Sequence, residues 1–545
     1  MRGLALGLLF GSVVAATTVT ALALPPTETA LADAAMTGDR DACRTLLAEG
    51  ADVNAPQGDG STALHWAAHR ADAELTRMLI EAGAEIGMTT RVGELSPLFM
   101  AAKNGSAEIV SLLLDAGASP TATNSNGTTP LMLGAASGSI DTVDVLLERG
   151  AEVDAADSTN EQTALMFASA LGRVEVVRRL AKTGAKLDAV TRVTEVITLG
   201  QRVAAQKIER DVSLEGSRNP TVMGGMTALH FAAREGHSDT VRELASAGAD
   251  VNRVNAADDM SVLTSAIING NLDIAMYLLE QGADPDLASK TGLTPLFATI
   301  DAQWAARTWY PPPSVAQEKT RYIELMQALV DAGADVDARL SKKPWYRTFH
   351  GDWIKQDGAT AFWRAAKSND VAAMRLLVNA GANPTIPTLL GGTPLQAAAG
   401  FGLEPQTSNV VPDARLEAVR YLVEEVGANV NEPDSQGYTP LHGAALTENR
   451  EVMSYLIAMG ADVKARANVI FGGIGETDRD VDGATGDTVA DMANGPKPHN
   501  LQYPATVAFL ESLGAASSNH CRAATCVVKD FPEEEDEDPK VRDRK

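Results

Sequence analysis

The sequence has little cysteine, few aromatic residues and an excess of acidic over basic side chains. Three cysteines in 545 residues are too few for a disulfide-rich scaffold, and only 5% of the residues are aromatic. The formal net charge of −25 provides no general positive field to release counterions from phosphates. Nucleic acid is therefore excluded as the expected partner, while basic, cationic and neutral proteins remain open.

Catalytic motifs are also absent. The chain contains no G-x-S-x-G, no H-E-x-x-H and no Walker loop. His69, His237, His350, His499 and His520 have no nucleophile, carboxylate or second histidine at a fixed spacing. We expect a protein that is not an enzyme and that folds without a cofactor or metal.

Long hydrophobic runs are lacking beyond the N-terminus. There, Arg2 precedes the apolar run LALGLLFGSVVAA, which is followed by an A-x-A site at Ala21–Ala23. This pattern is typical of a secretory signal peptide over residues 1–23, and an uncleaved membrane anchor is the alternative. We expect an exported protein, periplasmic or secreted, with no membrane span after signal removal.

What the sequence has in quantity is one repeated unit, best seen in Gly225–Asn252. Thr227 is a helix N-cap residue, and apolar side chains follow it at helical spacing until Gly236. A second apolar stripe then ends at Gly248, where the chain turns toward the next unit. Such a pair of helices cannot cover its own hydrophobic face, so it has to stack on another copy.

Twelve copies can be counted from the residue in the Thr227 position, and uninterrupted copies are 33 or 34 residues apart. The twelve residues are Thr29, Thr62, Ser96, Thr129, Thr163, Thr227, Ser261, Thr294, Thr360, Thr393, Thr439 and Thr488. Pieces such as TALHWAA (Thr62–Ala68), TPLQAAA (Thr393–Ala399) and TPLHGAA (Thr439–Ala445), each followed by a Leu-rich helix and Gly-Ala, resemble the ankyrin repeat. The resemblance covers residues 27–515. It implies an all-α repeat solenoid of stacked helix-turn-helix units with hairpin-like turns, in which His65, His230 and His442 hydrogen-bond backbone in the turn.

Several segments depart from the repeat. We predict insertions near 190–222, 301–320, 339–356, 401–415 and 469–486. The first copy carries Asp33, and the last carries Asp491 and Asn494, on the first helix, as expected of end caps that have one face in water.

The cysteines and the C-terminus suggest separate roles. Residues 516–545 form an acidic tail that we expect to be disordered. Cys521 and Cys526 are placed for a local disulfide in an exported chain, with metal binding through His520 as the alternative. Cys43 occupies an apolar helix position and is expected to be a buried core residue.

One acidic stretch has the first half of a calcium loop. Asp478, Asp480 and Asp482 alternate before Gly483, as carboxylates that converge on one cation do. Val489 stands where the loop's last bidentate acid would be, so the alternative is an ordinary solvated turn before the final repeat. A calcium-modulated binding module therefore stays open.

The aromatic residues are concentrated at the doubly interrupted eighth repeat, where ten of 25 fall within sixty residues. Residues 339–356 also hold five Lys or Arg against one Asp, which favours an acidic partner or substrate. We expect Trp304, Phe362 and Trp363 to pack structurally. We predict that a protein partner binds Trp345, Tyr346, Arg347, Phe349, Trp353, Trp309 and Tyr310.

Two kinds of function follow from these patterns. The first is a non-enzymatic protein-binding scaffold that uses its concave face and inserted loops outside the cytoplasm. The second is a ligand-binding protein or enzyme that uses the aromatic inserts around 301–356 as a lid. The lack of a catalytic set favours the first. The order of KTGLTPLFATIDAQW, WYPPPS and KKPWY also resembles a group of exported bacterial ankyrin-repeat proteins, and that resemblance implies export without implying an activity.

Overall fold

The computed structural model describes residues 28–195, 222–305, 315–342, 344, 356–401, 409–469, 486–493 and 503–516. Contacts divide the chain into two compact units, residues 1–151 and 152–545. Both units are built from helix pairs, with almost no sheet among the described residues, and this all-α repeat architecture is the predicted one.

The first unit holds four helix pairs. In each pair the first helix packs on its own second helix, and the first helices of neighbouring pairs within the unit pack on one another. The helices are α1 (Ala30–Thr37), α2 (Arg40–Ala48), α3 (Ala63–His69), α4 (Ala73–Glu81), α5 (Pro97–Lys103), α6 (Ala107–Asp115), α7 (Pro130–Ser137) and α8 (Ile140–Glu148).

The second unit continues the pattern with eight pairs. The helices are α9 (Ala164–Ala170), α10 (Val174–Lys182), α11 (Ala228–Arg234), α12 (Ser238–Ser246), α13 (Val262–Ile268), α14 (Leu272–Glu280), α15 (Pro295–Gln303), α16 (Tyr322–Asp331), α17 (Ala361–Lys367), α18 (Val371–Asn379), α19 (Pro394–Ala399), α20 (Arg415–Arg420), α21 (Pro440–Leu446), α22 (Arg450–Ala458), α23 (Val489–Met492) and α24 (Pro504–Ser512). A 3-10 turn covers Val315–Gln317, and a π turn extends α20 over Tyr421–Glu425.

Each first helix begins directly after one of the twelve counted Thr or Ser residues. The Thr227 hydroxyl accepts a hydrogen bond from the His230 N–H at 3.3 Å, which pairs one of the free donors at the helix start. His230 Nδ1 in turn accepts from the Thr227 backbone N–H, and its Nε2 lies 3.3 Å from the Met260 carbonyl of the next repeat. The histidine thus hydrogen-bonds backbone in the turn, as the resemblance implied, and it also joins consecutive repeats.

Other residues at the histidine position take over parts of this role. Gln396 and Asp491 accept from the backbone N–H of their own cap threonines at 2.8 Å. Trp363 Nε1 donates to the Gly392 carbonyl at 3.0 Å, which is the acceptor position that Met260 supplies to His230. Asp491 is therefore buried and hydrogen-bonded in the last repeat, where it takes the place of the histidine. Asn494 lies outside the described residues.

A second set of bonds joins the turns. The side chain of Asn252 donates to the Gly282 carbonyl at 3.2 Å and accepts from the Asp284 N–H at 2.7 Å, and Asn54 and Asn431 do the same in their repeats. These residues follow the Gly-Ala that ends each second helix. The stack is therefore held by backbone groups of one repeat bonded to side chains of its neighbour.

The segments that interrupt the repeats differ from expectation in two described places. The ends of the first insertion pair as a short antiparallel ladder, β1 (Thr194–Glu195) with β2 (Val222–Met223). Helix α15 continues through Gln303, so Asp301, Ala302 and Gln303 are helical and not part of an insertion, because no glycine or proline stands there to end the helix. Cys43 is fully buried as expected, and burial raises the pKa of its thiol to about 11.

Candidate functional site

The inner face of each unit can be followed through one position, the fourth residue after each cap residue, which we call the floor position. In repeats two, three and four it is occupied by Trp66, Met100 and Leu133, all partly exposed. These side chains line a groove of about 350 Å³ within the first unit. A continuous apolar floor on an open face is the usual composition of a protein-binding surface.

The floor is bordered by polar side chains on two sides. On the turn side lie Asp59 and Val92, and Val92 is 82% exposed. The Ser61 N–H and hydroxyl hold the pKa of Asp59 below its usual range, so this carboxylate is charged at neutral pH. On the other side, at the ends of α3 and α5, lie His69 and Lys103.

Two contacts hold the Trp66 side chain in place, a hydrogen bond and a ring contact. Its Nε1–H donates to Gln57 Oε1 at 2.7 Å, and its ring contacts His69 edge-on with 5.8 Å between ring centres. Gln57 also donates to Asp33 at 2.6 Å. The Trp66 ring is therefore held in one position in the unbound chain, which reduces the side-chain entropy that is lost on binding.

In the second unit the floor position is partly exposed at Phe167 of repeat five and buried at Phe231 of repeat six. From repeat seven onward the floor residues are all buried: two are polar or charged, three are small, and the last is a methionine. They are Ser265, Ala298, Arg364, Ala397, Gly443 and Met492.

The charged floor residue of repeat nine, Arg364, is buried in a network with Asp301 of repeat eight. Arg364 Nε donates to Asp301 Oδ1 at 2.6 Å, with both side chains almost fully buried. The same guanidinium donates to the Ser368 hydroxyl and, at 2.9 Å, to the Trp304 carbonyl. A buried guanidinium with three kinds of acceptor is satisfied, which is the condition under which a charge tolerates burial.

Asp370 accepts hydrogen bonds from two aromatic side chains of the same region. Its Oδ2 accepts from Trp304 Nε1 at 2.8 Å and from the Tyr322 hydroxyl at 2.9 Å, while Oδ1 caps α18 through the Ala373 N–H. Burial and the Asp370 charge raise the pKa of Tyr322, which keeps its hydroxyl protonated as a donor. Trp304 therefore fastens α15 to the start of α18.

In repeat eleven the floor position is covered by another segment of the chain. Phe401 lies against Tyr438 with 4.9 Å between ring centres, and it crosses the floor position of repeat eleven, which is Gly443. A Cβ on Gly443 would come within 2.7 Å of the Phe401 backbone nitrogen. The Val411 N–H donates to the Ser368 carbonyl at 2.9 Å, so described residues at both ends of the tenth-repeat interruption contact the inner face.

The residues predicted to bind a partner cannot be compared with this geometry. Trp345, Tyr346, Arg347, Phe349, Trp353, Trp309 and Tyr310 lie outside the described residues, as do Cys521, Cys526, Asp478, Asp480 and Asp482. Phe362 and Trp363 are fully buried and Trp304 is bonded to Asp370, so the packing role predicted for these three residues is confirmed. Of the basic residues in 339–356, Arg339 is committed to the carbonyls of Gly358 and Pro387.

The groove of repeats two to four was missed from the sequence. Its signal is the residue directly after the histidine position, which is large and apolar in Trp66, Met100 and Leu133 but small or charged in Ala298, Arg364 and Gly443. A comparison of that single position separates repeats two to four from repeats eight to eleven, but Phe231 and Met492 are large, apolar and buried at the same position, so residue type alone does not decide exposure.

The described residues contain no cluster of metal ligands and no membrane-spanning helix. Among them, no three His, Cys, Asp or Glu side chains converge as metal ligands would. No helix within the described ranges combines the length and the apolar character needed to cross a bilayer.

Comparison with protein families shows where this architecture recurs. Models of ankyrin repeats match more than half of the chain. The three-copy model matches residues 16–90, 71–157, 98–191 and 212–289, a multi-copy model matches 410–457, and a single-repeat model matches 357–389.

Curated proteins resemble parts of the chain only. E3 ubiquitin-protein ligase KEG of Arabidopsis thaliana is 27% identical over 266 residues, which is 43% of this chain and 15% of KEG. Alpha-latrocrustotoxin-Lt1a of Latrodectus tredecimguttatus is 25% identical over 213 residues, 39% of this chain and 13% of the toxin. Ankyrin repeat and KH domain-containing protein mask-1 of Caenorhabditis elegans is 40% identical over 67 residues, 12% of this chain and 3% of that protein. The chain thus spans at most 15% of the length of these relatives.

Proposed function

Because the chain belongs to the ankyrin-repeat proteins, we propose that it is a non-enzymatic scaffold that binds a protein partner on the inner face of its repeats. Ankyrin arrays are typically binding modules, and their rigid stacks present a preformed surface that loses little entropy on binding. The observation that carries the proposal is the open apolar groove of repeats two to four.

The floor side chains support this assignment. Trp66, Met100 and Leu133 remain partly exposed although the residues on either side of them in each helix are buried. Tryptophan is enriched among interface residues whose truncation costs most, and methionine adapts its shape to a partner. An apolar row that the fold itself does not use is what a binding face requires.

The inserts of repeat eight form a second part of the proposed surface. Trp345, Tyr346, Arg347, Phe349, Trp353, Trp309 and Tyr310 combine aromatic rings with basic charge in a chain whose net charge is −25. An acidic partner would find there a local field opposite to that of the whole chain. Lys342, which is exposed, adds to this field, whereas Arg339 does not because it is bonded to backbone.

We place the scaffold outside the cytoplasm. The support is the charged start, short apolar run and A-x-A site of residues 1–23. Protease protection in intact and osmotically shocked cells tests this location, and a chain that keeps residues 1–23 and is protected with cytoplasmic markers would contradict it.

The binding role is tested by cross-linking the chain in envelope and culture-fluid extracts and identifying captured proteins by mass spectrometry. We expect Trp66→Ala combined with Leu133→Ala to abolish capture while the melting temperature stays close to that of the wild type. The pair Trp345→Ala and Trp353→Ala tests the inserts in the same way. Capture that survives both pairs of substitutions would overturn the proposal.

A suitable control is a pair of substitutions on the outer face. Arg77→Ala with Arg149→Ala removes two exposed ion pairs of the same unit, with Glu108 and Asp115, and leaves the groove intact. Capture should be unaffected, because exposed pairs contribute little to stability and neither arginine lines the groove.

A further inference from the structure

The charges around the groove of repeats two to four indicate what its partner carries. We propose that this groove takes an extended segment of a protein partner in which a bulky apolar side chain lies within two residues of a carboxylate. This proposal rests on the binding role given above and adds the chemistry of the partner.

The first step is the shape of the floor. Trp66, Met100 and Leu133 occupy the same position on three consecutive first helices. Neighbouring packed helices lie about 8–10 Å apart, so the row is roughly 16–20 Å long. Extended chain rises about 3.3 Å per residue, so the row matches five or six residues of an extended segment. A continuous apolar row of that length suits alternate side chains of one such segment.

Cationic side chains of the first unit differ in whether a carboxylate pairs with them. Arginines on its outer side are bonded to carboxylates: Arg40 to Asp72 and Glu74, Arg77 to Glu108, and Arg149 to Asp115. Lys103, at the end of α5 on the groove edge, makes no ion pair or hydrogen bond with any described residue.

The groove edge at the ends of α3 and α5 carries positive charge. The last two residues of α3 and its C-cap give Ala68, His69 and Arg70, and α5 ends with Lys103 before Asn104. The corresponding residues of the flanking repeats are Met36 with Thr37 and Ala136 with Ser137, so none of these positions holds an acidic residue. Arg70 Nη1 donates to the Met36 carbonyl at 3.3 Å, and its guanidinium interacts electrostatically with Asp72, so Lys103 is the cation of this edge that is left without a carboxylate among the described residues.

The opposite edge differs. It carries Asp59, whose carboxylate already accepts from Ser61, together with exposed Arg91 and Glu94. An incoming carboxylate is therefore favoured beside Lys103 and not beside Asp59, where like charges would repel. Since the apolar row lies between the two edges, the partner has to offer an apolar side chain and an acidic one close together.

The experiment is a selection of random twelve-residue peptides on the full-length chain, with counter-selection on the Trp66→Ala variant. We expect the surviving peptides to combine Leu, Phe, Trp or Met with Asp or Glu within two positions. A representative peptide should bind Lys103→Glu about tenfold more weakly than the wild type. Lys182→Glu, which changes an exposed lysine on a second helix, should leave its affinity unchanged.

A charge exchange makes the test specific. When the acidic residue of the peptide is replaced by lysine, it should bind Lys103→Glu better than it binds the wild type. Groove-dependent peptides without an acidic bias, or an affinity unaffected by Lys103→Glu, would overturn the proposed partner chemistry and leave the binding role intact. If no peptide depends on Trp66, the inference is wrong. If partner capture also survives the groove and insert substitutions, the proposed function fails with it.

Discussion

The inner faces of repeats two to four and of repeats eight to eleven are built from the same repeat, but they differ in whether the floor residue is exposed. In the first region the floor position carries Trp66, Met100 and Leu133, which the fold leaves partly exposed. In the second region it carries Ala298, Arg364, Ala397 and Gly443, all buried. Both regions have Thr or Ser caps and short first helices, so these features do not decide whether a face is exposed; the side chain at one position, and the segment that lies over it, decide that.

The difference also concerns the kind of residue that each face tolerates. An open face keeps large apolar side chains at its floor, where they lose no stability by contacting water only in part. A covered face needs small residues, such as Gly443 beneath Phe401, or charges that are fully paired, such as Arg364 with Asp301. At the floor position the large apolar side chains are therefore partly exposed while the charged side chain is buried. Hydrophobicity alone would predict the reverse.

The largest effect is expected from breaking the buried ion pair of the covered face. Arg364→Ala leaves the Asp301 carboxylate buried without its cation, which should lower the free energy of unfolding by about 3–5 kcal/mol. Urea denaturation, with hydrogen exchange of α15 and α17 to locate the loss, measures it. The matched control is Arg375→Ala, which breaks the exposed pair with Glu425 and should cost at most about 1 kcal/mol.

If the two arginine substitutions cost the same, the contrast between covered and open charge would be wrong. The double variant Asp301→Leu with Arg364→Met should recover much of the loss, because a buried pair can be replaced by apolar residues of similar volume. The double-variant result separates loss of the pair from general damage to the packing.

Acid should act on the buried histidines next. Burial lowers the pKa of His230 and of His442 from 6.5 to about 4. The neutral form is favoured in the folded state, so the stabilisation is complete above pH 6.5 and is lost as the pH falls toward 4. Each histidine should contribute a loss on the order of 3 kcal/mol at pH 4.

Glutamine is the substitution that tests this pH dependence. Gln396 already occupies the same position in its repeat and accepts from the Thr393 N–H at 2.8 Å, so His442→Gln should preserve the cap. Melting temperatures between pH 7 and 4 should then fall less steeply than in the wild type. His69→Gln, at the exposed groove edge, is the control, and an equal flattening by His69→Gln would contradict the assignment to buried imidazole.

A smaller loss is expected from adding one carbon beneath the tenth-repeat segment. Gly443→Ala places a Cβ within 2.7–3.1 Å of Phe401 backbone and side-chain atoms, which should cost about 1–3 kcal/mol although alanine favours helix. Gly134→Ala is the control, since the atoms nearest to it are methyl groups at 3.1–3.3 Å that can shift. Urea midpoints compare the two, and a more stable Gly443→Ala would show that Phe401 does not hold its place.

The smallest effect on stability is expected on the open floor. Met100→Ala and Leu133→Ala should change the melting temperature by less than the Gly443 substitution does, because surface changes usually stay within about 0.5 kcal/mol. Ala298→Leu, at the same position of the covered face, should destabilise by overpacking. Calorimetry of the three variants checks this order, and a larger loss at Met100 than at Ala298 would show that the floor of the first unit is a structural core.

The number and the starts of the repeats could be predicted from the sequence because they depend on local interactions. A cap hydroxyl, the spacing of Leu and Ala, and the glycine after each helix act within a few residues, and Thr227 to Gly248 shows all of them. The burial of Cys43, Phe362 and Trp363 followed from the same periodicity. The hydrogen bonds of His65, His230 and His442 with their own cap residues are also local, and they confirm the role implied by the repeat pattern.

Other features depended on residues far apart in the chain, and only the tertiary structure decided them. The helix that continues to Gln303 brings Asp301 to Arg364, 63 residues later, and Asp370 receives Trp304 across 66 residues. Nothing local marks Arg364 as buried, since the floor position of an isolated repeat faces water. Whether that face stays open, as at Trp66, or is covered, as at Gly443, is set by which distant segment packs over it, because burial is a property of the stack and not of the repeat.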